Sequence, residues 1–121
     1  MQSNLLFKAS AIIEILTGVA LLIAPSLIIG LLLGDGLSTT GVAVARMLGI
    51  GLLSVGVAGW ESREQNKRFA PRAGLCLYNI GAAVVLAVFG SMSATSGILL
   101  WPVVGLHSLA GVAMLWVILS T

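Results

Sequence analysis

Charge is what this chain has least of. Asp, Glu, Lys and Arg make up 8% of its 121 residues, where a soluble domain carries about 25%. Such a sequence cannot clothe a water-facing surface, which excludes a soluble globular enzyme. Cysteine is almost missing: Cys76 stands alone, so no intrachain disulfide can form. It reads as a small apolar filler in a helix. There is one histidine, and no CxxC, CxxCH or HExxH pattern to announce a redox pair, a covalent haem or a zinc hydrolase. No basic stripe is present either, which argues against a nucleic-acid partner.

What is present is apolar. The hydrophobic fraction is 59% and the mean hydropathy +1.13. Four apolar runs approach the roughly 20 residues that cross a bilayer as a helix. They predict an all-α, integral membrane four-transmembrane-helix bundle in one domain, with spans at about 5–24, 39–60, 73–92 and 98–119. Little chain is left over for a soluble catalytic head. Lys8 before the first run resembles the flank of a signal peptide, but Glu14 interrupts the apolar stretch, so a retained helix is expected. Pro25 should break or kink that helix, with Ser26 able to cap a new start. The short run 27–33 then either extends a kinked helix or lies at the interface before the turn Gly34-Asp35-Gly36. Trp101-Pro102 suits the first turn of the last helix.

Orientation follows from where the basic residues fall. Lys8 lies near the N-terminus, and Arg63, Lys67, Arg68 and Arg72 sit in the charged loop 61–72. The other two connections have no Lys or Arg, and the first carries Asp35. Both termini are therefore expected in the cytoplasm, and the setting is a bacterial inner membrane. Trp60 and Trp116 would mark the inner interface and Trp101 the outer. The basic loop sets topology first, and also suits anionic lipid head groups.

Helices in lipid need small residues for close contact. Gly41, Ala45 and Gly49 recur at four-residue spacing, followed by Gly56 and Gly59, with Gly18, Gly81 and Gly111 elsewhere. They predict packing within the bundle, the alternative being a homodimer seam along the second span.

Each span also carries a polar residue near mid-depth: Glu14, Arg46, Asn79 and His107, with Thr17 one turn from Glu14 and Tyr78 beside Asn79. A charged side chain at a helix centre costs about 2.5–3.5 kcal/mol on insertion scales. These groups should therefore face inward and find partners. A Glu14–Arg46 ion pair is the expected arrangement, since arginine can hold a carboxylate through two hydrogen bonds. His107 and Asn79 would complete a network that serves as a ligand or proton-handling site, or as an inert clamp between helices. No cofactor is expected. Haem on His107 is the alternative, with Met47, Met92 or Met114 as second ligand.

The segments Glu14-Ile15-Leu16-Thr17-Gly18, Ala24-Pro25-Ser26-Leu27 and Ala45-Arg46, followed by Gly49 and Gly51, resemble the small four-helix bacterial membrane proteins grouped as DoxX-like. That resemblance covers mainly the first two spans. It implies a non-enzymatic accessory membrane subunit and assigns no catalytic residue. Ala11 to Gly18 is also similar to the first helix of small multidrug-resistance transporters, which implies Glu14 as a carboxylate exchanging protons for cations. An adjacent Arg46 would argue against that role by repelling a cation. The expected function is thus a small non-enzymatic membrane protein. It would act as an accessory subunit or bind a lipid-like or quinone-like molecule at the polar layer. Its expected partners are membrane lipids, and a membrane protein or second copy. The alternative is an oligomeric proton-coupled transporter using Glu14.

Overall fold

The computed structural model describes residues 2–61, 69–94 and 96–120. Five helices run through them: α1 (Gln2–Ile23), α2 (Pro25–Leu33), α3 (Thr39–Glu61), α4 (Phe69–Met92) and α5 (Leu100–Ser120). Of these, α1, α3, α4 and α5 are each long and apolar enough to cross a membrane. Their outward faces carry large apolar side chains such as Ile23, Leu77, Leu109 and Leu119, each more than 70% exposed. Water would penalise that surface, whereas lipid tails are as apolar as the side chains themselves.

Long apolar helices therefore stand at the four expected spans. The apolar run after Pro25 is a separate fifth helix. Ala24, which precedes the proline, leaves helical space at φ −134° and ψ 61°, as residues before proline tend to. Pro25 has no N–H to lose and opens α2. Gly34 closes it at φ 86°, its N–H donating to Gly30 O at 3.0 Å, a left-handed cap that suits glycine. Nine residues give about 13 Å of helix, far short of a bilayer. Beside it, Gly97 N–H donates to Leu32 O at 3.0 Å and Leu99 N–H to Leu31 O at 2.9 Å. Backbone bonds thus tie the turn before α5 to the end of α2, where Gly97 lies directly against Leu31.

α1 packs most closely on α3, and α4 on α5, with lighter contact between the two pairs. Glycine permits the first of these seams. A Cβ on Gly18 would lie 2.7 Å from Gly49 O, and one on Gly49 2.8 Å from Gly18 O. One turn pair further, a Cβ on Gly56 would lie 2.9 Å from Ala11 O. Gly59 is filled by Leu75, and Gly111 faces Ile80. Gly41 meets only Leu37 and Ser38, which lie just before it in the chain, and Gly81 has no such neighbour within 4 Å. Within α3, Gly49 and Gly56 are thus occupied by α1 of the same chain, and Gly59 by α4.

Phe7, Leu75, Cys76 and Met114 form the core near the chain termini, and Leu21, Ala45 and Leu52 a second core further along. Cys76 is the buried filler expected, with its Sγ 3.6 Å from Gly111 O. At the terminal end, Lys8 Nζ sits 5.2 Å above the Trp60 ring. Arg72 stacks 4.9 Å above Phe7 and donates to Asn4 Oδ1 at 3.0 Å. Of the basic loop, Arg63, Lys67 and Arg68 lie outside the described residues.

Candidate functional site between α1 and α5

Residues four apart on a helix stack on one face, which places Ser10 and Glu14 one above the other on α1. Across from them stand Asn79 of α4 and His107 of α5. All four are buried, at 4%, 1%, 2% and 7% exposure respectively. In an otherwise apolar bundle, that burial calls for hydrogen bonds.

Asn79 supplies most of them. Its Nδ2 donates to Leu75 O at 2.9 Å, one turn back on α4, and to Ser10 Oγ at 3.1 Å across the bundle. Its Oδ1 lies 2.8 Å from His107 Nδ1. One amide therefore joins α1, α4 and α5. Met114 Sδ lies 4.0 Å from the same Nδ2, and the Tyr78 ring meets the His107 ring edge-on, with centroids 5.7 Å apart at 85°.

Glu14 is not part of this network. Its Oε1 is buried without a hydrogen-bond partner. It lines, with Ser10, Asn79 and His107, a cavity of about 420 Å³ whose other walls are apolar, Leu6, Ile13, Leu106 and Ala110 among them. The cavity lies where the two helix pairs meet. It shares Leu6, Leu109 and Ala113 with a second, larger space of about 650 Å³ running along α5 past Val112 to Trp116. Together they make an apolar crevice with a polar inner end.

The expected Glu14–Arg46 ion pair is not formed. Arg46 is exposed, and its Nε donates to Leu22 O at 3.3 Å. The cause is register. The Gly18–Gly49 contact sets Glu14 level with Leu53 and Arg46 level with Leu21, roughly 10 Å apart along the axis. Because α1 ends at Ile23, its last carbonyls lack helical partners and carry partial negative charge. Arg46 caps that end instead of neutralising the carboxylate.

The structure thus gathers Glu14, Asn79, His107 and Tyr78, and leaves Arg46 out. Thr17 is half-buried and does not line the cavity. Ser10 was missed: serine is ordinary in such helices, and only its position four residues before Glu14 hinted at a shared face. Met47 and Met92, at 71% and 84% exposure, face away from His107, whereas Met114 lies beside the network. Among the described residues no three of His, Cys, Asp and Glu gather closely enough to hold a metal ion. No protein family, curated protein or solved structure matches the chain.

Proposed function

We propose that this chain is a small non-enzymatic membrane protein that holds a lipid-like or quinone-like molecule in the α1–α5 crevice. The observation that carries this reading is Glu14: a residue only 1% exposed whose Oε1 has no hydrogen-bond partner, in the wall of a cavity it shares with His107 and Asn79. A buried polar group left unpaired costs about 1–3 kcal/mol. A purely structural clamp would have no reason to carry that cost, whereas a ligand's polar head would relieve it. The apolar continuation toward Trp116 suits a hydrocarbon tail. In this reading the termini and the basic loop face the cytoplasm of a bacterial cell, the side favoured by Lys8, Arg63, Lys67, Arg68 and Arg72. A DoxX-like accessory subunit would hold such a molecule for a larger membrane partner.

The test is gentle purification followed by mass spectrometry of whatever remains bound. An apolar small molecule at fixed stoichiometry, lost from Glu14→Gln, is the expected result. A wild-type preparation that carries no such molecule and takes none up from added lipid extract would refute the reading.

A second reading gains support from the position of Arg46. A cation-repelling charge beside Glu14 was the main objection to proton-coupled transport, and Arg46 is bonded to Leu22 instead. In that reading Glu14 carries the proton, and Glu14→Gln abolishes coupled flux in liposomes. Undiminished coupling would remove Glu14 from the role.

A further inference from the structure

The hydrogen bonds around Asn79 have a direction, and the direction restricts what the crevice can hold. Leu75 O is a carbonyl and can only accept, so the atom of Asn79 lying 2.9 Å from it is Nδ2. Turning the amide over would set two acceptors against each other. Asn79 Oδ1 therefore faces His107, and at 2.8 Å it requires a proton on His107 Nδ1. Among the described residues no carboxylate bonds His107, and an imidazolium at mid-membrane depth is costly, so the ring is neutral. Its Nε2 is then left with a bare lone pair, on a ring that lines the cavity. Ser10 Oγ is already an acceptor for Asn79. Glu14 Oε1 awaits a partner and can accept in either protonation state.

We infer that the cavity selects a head group that donates a hydrogen bond to His107 Nε2, namely a hydroxyl, over its carbonyl counterpart. This rests on the binding reading above and deepens it. A hydroxyl fits the His107 lone pair. A carbonyl oxygen at the same place would set lone pair against lone pair. The class is an apolar molecule with a hydroxyl-bearing head, a quinol or a prenol. The corresponding quinone or an ester lipid is disfavoured.

A quinol and quinone pair sharing one short alkyl tail isolates the point, because the two differ only in those hydrogens. With the protein in nanodiscs under anaerobic conditions, the quinol is expected to bind about tenfold or more tightly, the difference made by one good hydrogen bond near 1.4 kcal/mol. Since His107 is the single histidine, imidazole ¹⁵N resonances report its tautomer without assignment, and a protonated Nδ1 with an unprotonated Nε2 is expected. Asn79→Leu should release the tautomer and erase the preference. Equal affinity for the two forms overturns the selectivity while leaving the binding reading intact. A wild-type Nε2–H tautomer, or a doubly protonated ring, overturns it whatever binds. If neither form binds, this inference fails, and the binding reading falls with it only if the protein also takes up nothing from added lipid extract.

Discussion

The most consequential single residue is Asn79, because one amide holds side chains on α1 and α5 at once. Interhelical hydrogen bonds in membranes average about 0.6 kcal/mol and reach about 1.7. Asn79→Leu, which removes two of them, should cost about 1–3 kcal/mol in reversible unfolding from mixed micelles. Glu14 and Arg46 should behave as strangers. A double-mutant cycle of Glu14→Gln and Arg46→Gln is expected to show no coupling, as for separated sites with no shared partner. A coupling well above measurement error would mean the two do meet. This pair also marks how far side-chain roles were legible. Glu14, Asn79 and His107 stood out because polar groups in apolar spans must face inward, and they do. Arg46 obeyed a different rule. Its partner is a backbone carbonyl, and backbone carbonyls leave no mark in a sequence. That carbonyl is available only because α1 stops before Pro25.

At the scale of elements, the α1–α3 seam is the closest-packed feature. Gly18→Ala or Gly49→Ala would drive a methyl into the facing carbonyl. Each should destabilise by about 1–3 kcal/mol, the usual range for overpacking. Gly51→Ala, where a Cβ meets nothing within 4 Å, is the control, and should be neutral or slightly stabilising in the same unfolding assay. If Gly18→Ala proved as harmless as Gly51→Ala, α1 and α3 would not approach as closely as described. The long helices were legible because an apolar run of some 20 residues has few other ways to fold. The short run 27–33 was not. Whether it continued α1 or stood alone depended on the ψ of one residue, Ala24, which hydropathy does not encode. Nor could four-residue glycine spacing say whether α3 faced a second copy or α1. Glycine marks where a backbone approaches, not whose.

For the whole molecule, the proposed orientation is open to direct measurement. In a Cys76→Ala background, Asp35→Cys should react with an impermeant thiol reagent from outside intact cells and be protected in inverted vesicles. The opposite pattern would reverse the topology. The arrangement of helices as two pairs, with lighter contact between them, also bears on how a ligand is exchanged. The space between α1 and α5 meets the bundle surface at Leu109, which is 75% exposed. At the far end of the bundle, backbone bonds join α2 to the turn before α5. A guest of the crevice would arrive sideways from the hydrocarbon, so its effective concentration is its mole fraction among lipids. Adding empty lipid at constant total ligand should then dilute it and lower occupancy, as a solute is diluted by solvent.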